Sequence, residues 1–363
     1  MITKGDDFPI HQTPEPVQQV FTSDRNFYDR YFFNGCWRDG DPYFAVGMGI
    51  YPNMGIMDAG FSAIVNGVQH CVRASRLLGA DRMDTRVGPI SIEVIRPLDA
   101  LRVRVDHPEV KADLVFQRRL APIEEPRFTR RTGPRITFDI TRFTQHGAYS
   151  GTLTVGGRTF DAAPSRVWGV RDRSWGVRTV GAQDPAGAPS TTLPQFFWLW
   201  SPNNFEDVCT HFDVNENADG SRWHEFGGIA PAQPQAALEV ASAVDWRIDF
   251  KPGTRHARRV EIDLRLPSGA EHHVELTPIY NFYMQGIGYT HPKWGHGLYV
   301  GPDESTYESF KLADVDESVP LYQHIEAVCR SRIGSREGMG VFEMLILGPH
   351  AKSGFKGLLD MHP

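Results

Sequence analysis

The chain has 363 residues, more than one core of about 100–200 residues usually fills, so two domains are expected. Its 38 basic and 44 acidic residues give a net charge of −6 with no run of like charge, which argues against a nucleic-acid partner. An aromatic-rich composition with 22 Phe, 11 Tyr, 8 Trp, 35 Gly and 26 Pro reads as many short strands joined by turns, an all-β protein.

The N-terminal residues carry no apolar signal region, and no stretch approaches the roughly 18–20 apolar residues of a membrane span. A soluble cytoplasmic protein without membrane insertion is expected. Cys36, Cys71, Cys209 and Cys329 lie far apart, so free thiols in a reducing compartment are expected rather than a disulfide framework.

Along the chain, the aromatic segment 26–34, with Asp58 beyond it, suits either closure of a barrel end or core packing. Residues 44–50 and 59–65 read as strands, followed by a hairpin from 90–95 through Pro97-Leu98-Asp99 to 101–105. Strands are expected over 111–120 and 135–140, and a hairpin joins 151–155 to 158–161 through Gly156-Gly157. Residues 181–194 shift to Ala, Pro, Gly, Ser and Thr without periodicity, which reads as a linker. The domain boundary is placed between residues 185 and 186, giving units 1–185 and 186–363. Beyond it, 196–200 reads as a strand and 260–266 pairs with 272–277 across Pro267-Ser268-Gly269. Residues 321–332 show a weak helical face but also alternate, and a strand is preferred. The strand 341–347 carries Glu343, which either faces solvent by alternation or meets a partner inside, and solvent is preferred. Each half then holds about eight to ten strands, enough for an up-and-down barrel with room for one small ligand.

Chemistry concentrates in Trp168-Gly169-Val170-Arg171-Asp172-Arg173-Ser174-Trp175-Gly176, one carboxylate between two arginines and two tryptophans. If Asp172 faces an apolar pocket walled by Trp168 or Trp175, desolvation raises its pKa and it is a general acid. If it faces Arg171 and Arg173, its pKa falls and it is a strut.

A second group is Tyr289-Thr290-His291-Pro292-Lys293-Trp294-Gly295-His296-Gly297, preceded by Tyr283. Tyr283, Tyr289 and Trp294 suit a pocket lining, and His291 and His296 suit hydrogen bonding, base catalysis or a loop position satisfied by backbone. Cys209 and His211 with this pair have no recognised ligand spacing, so no metal is expected. With no Gly-rich phosphate loop, dinucleotide fingerprint or nucleophile elbow, no cofactor is expected either.

The central motif resembles the Tyr-His-Asp-His-Asn-Trp-Gly type motif of the hydroxyneurosporene synthase (carotenoid hydratase) and AttH-like superfamily, which also includes lipocalin-like Diels–Alderases. The segment from Asp6 to Asn34 is similar to a bacterial branch of that group. The resemblance implies two tandem lipocalin-like (calycin-type) antiparallel β-barrels. It also implies a carboxylic acid, matched by Asp172, that protonates an isolated alkene before water or an internal nucleophile captures the cation. Trp168 and Trp175 would then face the cation, and the substrate would be apolar and isoprenoid- or polyketide-like. This chain departs from the motif: Val170 replaces Tyr, and Arg171 and Arg173 replace His, so a substrate anion could meet those arginines.

The expected function is a cofactor-independent lyase or isomerase, a hydratase or cyclase, with Asp172 as acid and Tyr289, His291 or His296 assisting. Trp168, Arg171, Arg173, Trp175, Tyr283 and Trp294 would contact a hydrophobic small molecule. The alternatives are a carrier that leaves its ligand unchanged and a pericyclase that only folds its substrate.

Overall fold

A computed structural model of the protein describes residues 1–183 and 193–363. Regular structure among them consists of β-strands and five short 3-10 turns. No helix among them is long and apolar enough to cross a membrane.

Alternating side chains and tight glycine turns produce long antiparallel meanders. The first sheet follows the path Asp303–Lys311, Val68–Leu77, Ile56–Val65, Tyr43–Tyr51, Phe27–Trp37, Val167–Arg178, Arg135–Val155, Val110–Arg118, Ala100–Asp106, Ile90–Arg96 and Arg86–Val87. Its far end returns against Ile56–Val65 and Val68–Leu77, so it is a nearly closed barrel. The second follows Glu239–Val240, Arg222–Pro231, Val208–Glu216, Phe196–Trp200, Arg336–Leu347, Ile325–Ile333, Glu271–Tyr283, Ala257–Arg265 and Ala243–Phe250, bent into a ring.

All three expected hairpins are present, and residues 321–332 resolve into a 3-10 turn, Pro320–Tyr322, before the strand Ile325–Ile333. The expected boundary at 185/186 and most of the linker lie outside the described residues. One strand departs from a simple division into halves: Asp303–Lys311 comes from the C-terminal part of the chain yet pairs with Val68–Leu77 on the edge of the first sheet.

Period-two alternation decides where the cores sit. In Phe27–Trp37, Phe33 enters the interior of the first barrel with Phe44, Phe61, Leu114, Phe116 and Tyr149. In Phe196–Trp200, Phe197 and Leu199 enter the second with Trp246, Leu264 and Phe342. Both interiors are packed with side chains, as small barrels usually are. The alternate residues Phe32 and Trp200 meet in a third cluster between the sheets, with Val170, Met284 and Val341.

Candidate functional site

A cavity of about 480 Å³ lies between the two sheets rather than inside either barrel. The first sheet contributes Tyr28, Arg30 and Phe32 from one strand, Phe138, Ile140 and Arg142 from another, and Asp172, Ser174 and Arg178 from a third. Each set follows the alternation of its strand, so all nine residues project from the barrel's outer face. The second sheet supplies Phe196, Trp198, Glu343 and Leu345, and the loop after the 3-10 turn Met284–Ile287 closes the remaining side with Tyr289, His291 and His296. The sequence expectation of a pocket within a barrel is thereby corrected: the barrel interiors hold apolar side chains, and the space is left where two curved sheets fail to mate.

Asp172 opens onto this cavity, and its two arginine neighbours do not share its face. Arg171 is buried on the opposite side, donating from Nε to Gln145 Oε1 at 2.9 Å and lying over the Phe143 ring. Burial, reinforced by the nearby charge of Arg173, lowers its pKa to about 10. Arg173 pairs with Asp29 at 2.7 Å and covers the Tyr31 ring at 3.8 Å. Surrounding protein therefore controls the Asp172 carboxyl: burial raises its pKa to about 6, the Arg142 and Arg30 charges oppose this, and Glu125 and Glu343 reinforce it.

The two tryptophans of the motif lie elsewhere. Trp168 shares the face of Asp172, but lies four positions away along the strand, about 13 Å of rise. Its indole sits between the Arg38 and Arg119 guanidiniums and donates from Nε1 to the Pro164 carbonyl. Trp175 has the opposite parity, is 38% exposed, and meets the edge of Phe143. The aromatic wall of the cavity comes instead from Tyr28, Phe32, Phe128, Phe138, Phe196 and Trp198.

Of the loop residues, Tyr289, His291 and His296 line the cavity, whereas Tyr283 and Trp294 do not. Tyr283 is buried in the second barrel, its hydroxyl donating to Glu317 Oε1 at 3.1 Å. Trp294 faces a minor crevice near Arg73. His291 accepts the backbone N–H of Trp294 at Nδ1, 2.9 Å away, and burial lowers its pKa. Burial, with the charges of Arg30 and Arg178, holds His296 neutral, far below the usual range. Its Nε2 donates to the Ile287 carbonyl at 2.9 Å, which leaves Nδ1 to accept from Arg30 Nη1 at 2.7 Å. The Tyr289 ring stands edge-on to both His296 and His324.

Several cavity residues carry no local sequence signal. Glu343 does not face solvent, correcting that expectation: it is 8% exposed, lines the cavity, and lies 2.7 Å from His324 Nε2. Donation from Nε2 leaves His324 Nδ1 as a buried lone pair without a partner among the described residues. Beside Glu343 in register, Glu326 accepts from Tyr43 and Asn34, and burial together with the Glu343 charge holds its carboxyl protonated.

Below Asp172, Arg142 bonds Glu125 and Asp213, with His224 Nε2 2.9 Å from Asp213 and the Trp198 ring against the guanidinium. Glu125, Asp213 and His224 have ligand atoms within 4.8 Å of one another, a metal-type cluster. Arg142 already supplies the cation both carboxylates need, so these residues fit a strut joining the sheets better than a metal seat. Cys209 and His211 belong to the same interface, Cys209 next to Asn204 and His211 next to Glu125.

No curated protein matches this sequence. Among solved structures, the chain is similar to a protein assigned as AttH from Nitrosomonas europaea, with a TM-score of 0.52 and 14% identity over 90% of this chain and 96% of that one. It is also similar to CghA with Sch210972, with a TM-score of 0.51 and 13% identity over 89% of each chain. CghA alone gives a TM-score of 0.51 and 14% identity over 93% of this chain and 90% of that one. At such identities the likeness is one of fold, an all-β lipocalin-like one. The model of a family of unknown function, DUF8625, matches residues 2–356, and the chain belongs to that family.

Proposed function

We propose that this protein is a cofactor-independent lyase or isomerase, a hydratase or cyclase, that acts by acid catalysis on an isoprenoid- or polyketide-like molecule held between the sheets. The observation that carries this reading is the direction of Asp172: its carboxyl faces the cavity, away from Arg171 and Arg173, and burial raises its pKa to about 6. An acid with a pKa near working pH transfers its proton efficiently. The neighbour CghA was solved with Sch210972, which supports a small-molecule ligand for this fold.

In this mechanism Asp172 gives its proton to an alkene carbon, and the cation left on the adjacent carbon faces Phe32, Phe128 and Trp198, whose rings stabilise it by about 0.5–2 kcal/mol each. Capture by water forms the new C–O bond, and the water proton passes to His324 Nδ1, whose imidazolium Glu343 stabilises through Nε2. In a cyclase an internal double bond or hydroxyl replaces water, and His324 removes the final proton. His324 then releases its proton to solvent and solvent returns one to Asp172. The four buried, unpaired cysteines support the cytoplasmic assignment.

The test is incubation of the protein with an apolar extract of its host cells in heavy-oxygen water. A hydratase gives a product carrying the label, a cyclase an isomer of unchanged mass, and Asp172→Asn abolishes both. Ligand returned unaltered identifies a carrier. Turnover that survives Asp172→Asn but not a bulky substitution in the wall identifies a pericyclase.

A further inference from the structure

The wall of the cavity is unbalanced toward hydrogen-bond donors. Arg30 is 2% exposed, and its Nε and Nη2 have no hydrogen-bond partner among the described residues. The same holds for Nη2 of Arg178 and Nε1 of Trp198. Neither Arg30 nor Arg178 makes an ion pair among the described residues, in contrast to Arg142 with its two carboxylates. Both are permanent cations. They converge on one corner, with Arg30 4.7 Å and Arg178 5.9 Å from the Tyr289 ring centroid, and both push the pKa of His296 down. Asp58 feels the charges of both arginines and Asp172 that of Arg30, but neither carboxylate pairs with them among the described residues, and Asp58 is engaged by the Gly297 N–H at 2.6 Å and the Tyr51 hydroxyl at 3.2 Å.

The seat of Arg30 is built in. A Cβ on Gly47 would lie 2.4 Å from Arg30 Nη2, and Gly47 stands opposite Phe32 in the neighbouring strand. A buried guanidinium with no paired carboxylate, such as that of Arg30, is costly unless another species supplies the pairing charge.

We infer that the corner formed by Arg30, Arg178, His296 and Tyr289 is a binding subsite for an anionic oxygen group, a carboxylate or enolate, carried by the otherwise apolar ligand. Charge-assisted bonds from two guanidiniums fix that end, and the body of the ligand extends along Phe32, Phe138 and Trp198 toward Asp172. This rests on the reading that the space between the sheets is the ligand site, and it adds the substrate class: an acid-bearing amphiphile rather than a plain hydrocarbon.

The test compares farnesoic acid with farnesol by titration calorimetry at pH 7. The acid binds about tenfold or more tighter than the alcohol. Arg30→Met lowers affinity for the acid about tenfold and affinity for the alcohol by less, with an unchanged circular dichroism spectrum reporting an intact fold. Gly47→Ala, which displaces the guanidinium without removing a charge, reduces the preference in the same direction. Equal affinities, absence of acid binding, or an equal loss for both ligands in Arg30→Met overturns the inference. Failure of acid catalysis is distinguishable from this, because it shows as unchanged turnover in Asp172→Asn while the preference for the acid persists.

Discussion

His324 Nε2 and Glu343 Oε1 stand 2.7 Å apart in the wall that the second sheet gives the cavity, while Asp172 enters the same space from the first. In the proposed mechanism the two ends of the proton transfer therefore come from different sheets, with His324 Nδ1 left without a partner among the described residues. Replacing His324 by Phe should lower kcat by about 10²–10⁴-fold with little change in KM, measured with the substrate identified from extracts. An unchanged kcat removes His324 from the proton path.

Asp172 ties stability to pH with a definite sign. Its pKa is about 3.8 unfolded and about 6 folded, so the native state binds the proton more tightly, and its contribution is lost as pH rises through that window. Asp172→Asn should leave stability nearly unchanged at pH 4 and raise it by about 1–3 kcal/mol at pH 8, read from urea unfolding. With Asp172 as the proposed acid, turnover by the native protein should fall above about pH 6. Equal effects of the substitution at both pH values contradict the raised pKa.

Arg142 holds Glu125 and Asp213 in the contact between the sheets. Arg142→Met leaves two buried carboxylates without their cation and should cost about 3–5 kcal/mol in urea unfolding. A loss below about 1 kcal/mol shows that the strut is dispensable.

Glu326 is held protonated by burial and by the charge of Glu343, so an amide can take its place. Glu326→Gln should change stability by less than about 1 kcal/mol. Tyr43→Phe, which removes a buried partner of that carboxyl, should cost about 1–3 kcal/mol. The reverse order in thermal unfolding refutes a neutral Glu326.

The fold was legible because strand alternation and glycine turns are local properties: the hairpins around residues 97–99, 156–157 and 267–269 need no knowledge of the rest of the chain. Asp172 was legible as a lone carboxylate in an unusual stretch. Its aromatic surroundings were not, because proximity in sequence was read as proximity in space. Trp168 has the parity of Asp172 but lies too far along the strand, and Trp175 has the wrong parity. Glu343 exposes the other limit. Alternation separates the two faces of its strand, but the face opposite the barrel core meets another sheet instead of water. Arg30 lies within the aromatic segment 26–34, where strand alternation puts it on one face with Tyr28 and Phe32. What that face meets depends on how two barrels pack, which no local pattern encodes.

The strand Asp303–Lys311 gives the cavity loop an unusual mooring. The loop bearing Tyr289, His291 and His296 leaves the second sheet from Glu271–Tyr283 and ends on the edge of the first, beside Val68–Leu77. It hangs like a span between two piers. A tilt of one pier against the other stretches or slackens the span and carries Tyr289 and His296 with it. On the proposed reading, a ligand between the sheets would couple to the angle between them, because both sheets and the span that joins them line its cavity.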